Sequence, residues 1–346
     1  MRPKFPTHPR HAARARPDSN WLLARASAAS AASTLRETPG EIMERPSVFV
    51  WLGCILLHLF IAPCHAANTV LILNSDMTVE RYQQAQEAFK ETLNLATLDL
   101  DLSRQPAERQ IERQIRQARP EFIYCIGTRA YNLVHNLDRD KNIVISSAIN
   151  VKRLPVGSRT YGIANEMPAA IQLTYFRFFF PEVKRIGVLY SSQYNQEIFE
   201  EAVAAGRDVD IQVVGARIRR TRNLERSLKE LLPKVDALWL VSDPLVLATQ
   251  TSTEEILRQA DAAQKPIFTF NPAFVDAGAT LAISPDTPTI GRQAATLINE
   301  LIGSKKLESR FQEPAGSEII LNLRKVNQYG LKLNDDALSS VNRIVR

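Results

Sequence analysis

From Thr69 onward the chain alternates short apolar runs with amphipathic segments, and no other feature restricts its fold so strongly. "TVLILNSD" (69–76) reads as a strand, and the segment after it sets Tyr82, Ala85, Phe89 and Leu93 on one helical face. "LDLDL" (98–102) alternates as a strand near a sheet edge does, and "ERQIERQIRQA" (108–118) aligns Ile111, Ile115 and Ala118 along a second helix. "FIYCIGT" and "IVISSAIN" are continuous apolar runs of the kind buried on both faces of a parallel sheet. The order βαβαβαβ predicts a parallel sheet covered by helices.

The alternation breaks at "VKRLPVGSRTYGIANEMP" (151–168), which holds two Pro and two Gly and no periodic apolar face. It resumes with a helix carrying "AIQLTYFRFFF", followed by "RIGVLY", "IQVVGARI", "VDALWLV" and "PIFTF" as strands with helices between them. The group Tyr175, Phe176, Phe178, Phe179 and Phe180 reads as the buried face of a helix under a sheet rather than a ligand box. The expected architecture is α/β, with two doubly wound parallel-sheet domains and a cleft between them. Open parallel sheets bind ligands at the carboxyl ends of their strands, so that cleft is where a site belongs.

Upstream, "MERPSVFVWLGCILLHLFIAPCHAANT" begins at Met43 and has the parts of an export signal: Arg45, an apolar run from Val48 to Ala62, and small residues around Ala66 and Ala67. The run is shorter than the roughly 20 apolar residues of a bilayer span. We therefore read residues 43–66 as a cleaved signal peptide, with an uncleaved anchor as the competing reading, and residues 1–42 as a disordered or misassigned upstream extension. Lipidation at Cys64 is disfavoured by Pro63, which stands where lipoprotein signals usually carry Gly or Ala. Residues 1–66 hold eight of the 43 Lys and Arg and four of the 37 Asp and Glu, which leaves 35 basic and 33 acidic residues and a net charge of +2. That balance gives no reason to expect a nucleic-acid partner. The "RIRRTRNLER" cluster (217–226) reads as a solvated strand end and helix start.

Cysteine and histidine counts narrow the chemistry. Beyond the leader only Cys125 and His135 remain, which excludes a Cys/His metal cluster and an internal disulfide. Cys125 sits in apolar "FIYCIG" and reads as a small buried hydrophobe, while His135 lies on a surface helix. The chain lacks a GxSxG elbow, a phosphate loop and a GxGxxG fingerprint, so we expect no catalytic residues, no metal and no cofactor. An α/β enzyme built on a carboxylate pair such as Asp243 and Asp76 is the reading set against this.

The segments "FPEVKRIGVLYSSQYN", "VDALWLVSDPLVL" and "EIILNLRKVNQYGLKL", and above all "DAGATLAISPDTPTIGRQAA", carry a family resemblance. The chain resembles the periplasmic substrate-binding components of ABC transporters, in a type I subgroup some of whose members bind aromatic amino acids. It departs from relatives at the first crossing, where a Gly-Gly-Asn-x-Thr-Gly run is replaced by "VGSRTYG". The resemblance implies a monomer in the periplasm that closes on its ligand by hinge bending and hands it to an ABC permease. The alternative is a sensing subunit that signals to a membrane receptor such as a histidine kinase. It also implies three crossings, near Val151–Tyr161, Asn271–Ala279 and Gly303–Ser317. One lobe would then comprise 68–155 plus 279–303, and the other 156–274 plus 317–346.

Candidate ligand contacts stand at the expected strand ends. They are Ser75 and Asp76, Gly127 and Thr128, and Ser147 beside Ser146 in the first domain. Ser191, Tyr194, Asn195, Ser242, Asp243, Asn271 and Phe274 belong to the second. Ser, Thr, Asp and Asn at such places are also ordinary helix caps, and both readings stay open for Ser75, Asp76, Ser242 and Asp243. A cap and an anion site are compatible, because a helix start presents free amides. Such groups suit an amino-acid-like ligand: hydroxyls and amides for its carboxylate, Asp243 or Asp76 for its ammonium, and Tyr194 or Phe274 for an apolar or aromatic side chain.

Overall fold

The computed structural model describes residues 69–104, 107–137 and 141–346. The expected signal peptide, the extension before it and Cys64 lie outside the described residues. The chain opens with β1 (Val70–Asn74), α1 (Glu80–Thr92), β2 (Thr97–Asp101), α2 (Glu108–Ala118), β3 (Phe122–Ile126), α3 (Thr128–Leu137), β4 (Asn142–Ser146) and β5 (Thr160–Ile163). It continues through α4 (Ala169–Phe179), β6 (Arg185–Tyr190), α5 (Ser192–Asp208), β7 (Gln212–Arg217), α6 (Leu224–Leu231), β8 (Ala237–Leu240), α7 (Gln250–Ala262), β9 (Ile267–Thr269), α8 (Pro272–Asp276) and β10 (Leu281–Pro285). It closes with α9 (Thr287–Ile302), β11 (Phe311–Gln312), β12 (Ser317–Asn322), α10 (Leu323–Gln328) and β13 (Arg343–Val345).

Among the described residues the strands form two sheets, ordered β11-β5-β4-β3-β1-β2 and β13-β12-β10-β9-β8-β6-β7. Every pairing in the first sheet is parallel. Its central strands are apolar on both faces because helices cover both: Val70, Ile72, Phe122 and Tyr124 pack toward α1 and α9, and Leu71, Leu73, Ile123 and Cys125 toward α2 and α3. In the second sheet Phe176 and Phe180 of the α4 region stack near Phe268, while Trp239 donates its indole N–H to Gln172 Oε1 at 3.1 Å. Phe178 stays exposed and Tyr175 is half-buried against the core, so of the aromatic group Phe176, Phe179 and Phe180 are core.

Sheet membership moves the expected crossings. "TYGI" lies inside the segment read as irregular, yet β5 pairs with β4 and extends the first sheet. The first crossing therefore follows Ile163, over 164–168, rather than Val151–Tyr161. β10 pairs with β9 and β12, so the second crossing is at Asp286, not Asn271–Ala279, and residues 279–285 belong to the second sheet. The third runs over 313–316, inside the expected Gly303–Ser317 span. The second and third crossings touch, with Asp286 N–H donating to the Gly316 carbonyl at 3.0 Å.

One pairing departs from the all-parallel expectation. β12 runs antiparallel to β10, with Ser317 opposite Pro285. The chain leaves the second sheet at the carboxyl end of β10, passes through α9 and β11 in the first lobe, and returns at the same end. Re-entry there forces β12 to run backwards.

The segment "DTPTIGRQAA" has a packing explanation. Asp286 caps α9, accepting from Thr289 N–H at 2.9 Å. A Cβ on Gly291 would stand 2.2 Å from the Ala85 carbonyl oxygen, so only glycine lets α9 lie this close to α1. Ala294 and Ala295 continue the narrow contact and are fully buried.

Candidate functional site

At the first lobe's strand ends, Ser75 follows β1 and its hydroxyl accepts from Ala130 N–H at 3.0 Å, capping α3 from a neighbouring strand. Asp76 is half-buried and accepts from the backbone N–H and hydroxyl of Thr78 at 2.9 and 2.6 Å. Those two bonds hold its carboxyl below the ordinary value. Gly127 follows β3 with φ 85°, and a Cβ there would meet Ser75 Oγ at 2.7 Å and the Tyr82 ring at 3.0 Å. Gly127 thus supplies the left-handed turn that brings Ser75 and Tyr82 together over the strand ends. Thr128 opens α3 and is half-buried.

Ser146 and Ser147 separate sharply. The Ser146 hydroxyl bonds Tyr124 Oη at 2.7 Å, inside the core. Ser147 is 7% exposed, has φ 55°, and its hydroxyl is buried without a hydrogen-bond partner among the described residues. A left-handed serine with an unsatisfied hydroxyl carries two costs at once.

In the second lobe Asp243 organises the strand ends. It is 1% exposed and accepts from Ser191 N–H at 2.7 Å, the Ser191 hydroxyl at 2.8 Å, Asn195 Nδ2 at 2.9 Å, and the N–H groups of Leu245 and Val246 at 2.9 and 3.2 Å. Asn195, equally buried, also donates to the Ser242 carbonyl at 3.1 Å. Asn271 caps α8, accepting from Ala273 N–H at 3.1 Å. Phe274 is half-buried against the second-lobe core and meets the Phe270 ring edge-on.

The two lobes meet through side chains that sequence reading passed over. Asn150 Nδ2 donates to Ser242 Oγ at 3.2 Å. Arg153 donates to Asn195 Oδ1 at 2.6 Å and to the Tyr194 carbonyl, with its guanidinium 5.1 Å from the Tyr194 ring centre. Desolvation lowers the Arg153 pKa, opposed by Asp243, Glu166 and Tyr194. Within the first lobe, beside the second crossing, Arg81 Nε of α1 donates to Thr287 Oγ1 of α9 at 3.2 Å; burial lowers the Arg81 pKa against the pull of Glu318 in β12 of the second lobe. Asn150 ends the run "IVISSAIN" and Arg153 lies in the aperiodic run after it, where polar residues look like loop. The one available signal was their place just past a fully apolar strand.

Cys125 is buried, which pushes its thiol pKa up and leaves it unreactive. Among the described residues no group of three or more His, Cys, Asp or Glu side chains is arranged to hold a metal ion, and no helix is long and apolar enough to cross a membrane.

Two α/β lobes, three crossings, and strand carboxyl ends of one lobe touching those of the other define a binding protein of the type I periplasmic fold. The ABC transporter substrate binding protein family matches residues 85–345, and the chain belongs to that family. It is a solute-binding component of an ABC transporter. No curated protein matches the sequence. Among solved structures, a substrate binding protein with adhesive properties from Clostridium difficile, in its ligand-free open form, aligns at a TM-score of 0.62 with 16% identity, over 80% of this chain and 99% of that one. A domain from Streptococcus pneumonia in complex with L-Trp aligns at 0.55 with 17% identity, over 81% and 100%. A conserved domain protein from Vibrio cholerae aligns at 0.54 with 19% identity, over 80% and 99%.

Proposed function

We propose that the protein, exported by the leader at 43–66, captures an amino-acid-like ligand with an aromatic side chain between its lobes and presents it as a monomer to an ABC permease. The observation that carries this reading is Ser147. A buried hydroxyl with no partner, on strained backbone at a strand's carboxyl end, is accounted for if a ligand supplies the missing bond. In this reading Thr128 and Ser147 face the ligand carboxylate, while Tyr82, Tyr194 and Phe274 border its ring.

The ammonium partner we assign is Asp76, not Asp243. Asp243 already accepts five hydrogen bonds from the chain, whereas the Asp76 carboxylate is half-exposed and, among the described residues, accepts only from Thr78. The aromatic preference is supported by the L-Trp complex of the Streptococcus domain, whose fold this chain shares. Mass spectrometry of small molecules released by denaturing the purified mature protein tests the reading. One aromatic amino acid or close analogue, near one per chain, is expected. A sugar or a nucleobase in that stoichiometry would overturn it.

A further inference from the structure

The structure holds its two lobes together through the chain's own side chains, and we propose that Arg153, assisted by Asn150, is a latch that closes the protein in the absence of ligand. Both residues follow β4 in the first lobe, and their side chains bond to the second: Asn150 to Ser242, and Arg153 to Tyr194 and Asn195, while the Asn150 backbone N–H donates to Glu166 in the first crossing. The receiving surface is built before Arg153 arrives. Asn195 is fixed by Asp243 and by the Ser242 carbonyl, and Asp243 is fixed in turn by Ser191. That network presents Asn195 Oδ1 at a set position.

The backbone supports the same socket. Asn195 has φ −135° and ψ 23°, a break in helical geometry inside the first turn of α5. At that break the Tyr194 carbonyl receives the guanidinium, while the Tyr194 ring lies beneath it. Two oxygens and a ring face around one planar cation form a site that suits arginine and not lysine. Asn150 contributes from a left-handed residue, φ 55°, which turns its amide toward Ser242.

A latch of this kind has a defined consequence. It offsets part of the cost of closure before ligand arrives, and it covers one face of Tyr194 that an incoming ring could use. Ligand entry then requires Arg153 to leave that face, so release of the latch precedes or accompanies binding. The inference rests on the two-lobe binding reading but on no particular ligand.

Small-angle scattering on the mature protein, stripped of bound small molecules by unfolding and refolding, tests it without any ligand. The wild type is expected to be compact, and Arg153→Ala to show a larger radius of gyration with an unchanged melting temperature, because neither lobe's core is touched. Asn150→Gly keeps the left-handed backbone and should shift the radius in the same direction by less. Arg153→Lys should resemble Arg153→Ala. Equal radii for wild type, Arg153→Ala and Asn150→Gly would overturn the latch while leaving the ligand reading standing.

Discussion

Ser191 and Asp243 lie 52 positions apart, yet Ser191 gives Asp243 both its backbone N–H, at 2.7 Å, and its hydroxyl, at 2.8 and 3.0 Å. The pair joins the turn after β6 to the turn after β8 and sets the second lobe's side of the cleft. Replacing Asp243 by Ala strands several buried donors, at a cost of about 3–5 kcal/mol in stability. Denaturant unfolding of Asp243→Ala should show that loss. A mutant with wild-type stability but abolished binding would instead make Asp243 a direct ligand contact.

Ser147→Ala should behave in the opposite way. Removing a buried hydroxyl that bonds nothing within the chain should leave the ligand-free protein as stable as wild type or slightly more so. Affinity should fall by about 0.5–1.5 kcal/mol, roughly two- to tenfold, for the lost ligand bond. Thermal melting and calorimetric titration of the same mutant read the two effects separately.

Much of this was legible in the sequence, and what was missed has physical causes. β1, β3 and β4 were visible because strands buried on both faces must be continuously apolar, as Leu71, Ile72, Ile123 and Ile145 are. β5 was hidden because four residues interrupted by Gly162 carry no period. The assignment of β10 and β12 to one sheet depends on which strand each bonds, which residue pattern does not encode. Asp243 was noticed as cap or ligand contact, but its long-range bond to Ser191 could not be read from spacing. Arg153 looked like an ordinary loop cation because its partners lie 41 and 42 residues away.

The contact between α9 and α1 gives a third prediction. Gly291→Ala places a methyl against the Ala85 backbone, and backbone cannot yield as a flexible side chain would. A loss of about 1–3 kcal/mol is expected. Differential scanning calorimetry should show it, while the Cys125 thiol stays protected from alkylation in the native state.

A fourth prediction concerns acid. Lys325, Tyr329 and Gln328 of the tail all donate to Asp261 in α7, and the bond from Lys325 leads in holding its carboxyl below the ordinary value. A depressed folded-state pKa stabilises above the unfolded value, near ~4, and that contribution is lost as pH falls through the folded value. Melting temperatures measured from pH 7 down to pH 3 should therefore decline less steeply for Asp261→Asn than for wild type. Identical slopes would mean the cluster contributes nothing to acid sensitivity.

The central claim is that the lobes enclose an amino-acid-like ligand with an aromatic side chain. Calorimetric titration of ligand-stripped protein with L-tryptophan, L-tyrosine and L-phenylalanine tests it most directly. The account predicts one-to-one binding of at least one of the three, weakened by Ser147→Ala and by Asp76→Asn. Absence of binding for all three, from protein that melts cooperatively, would contradict it.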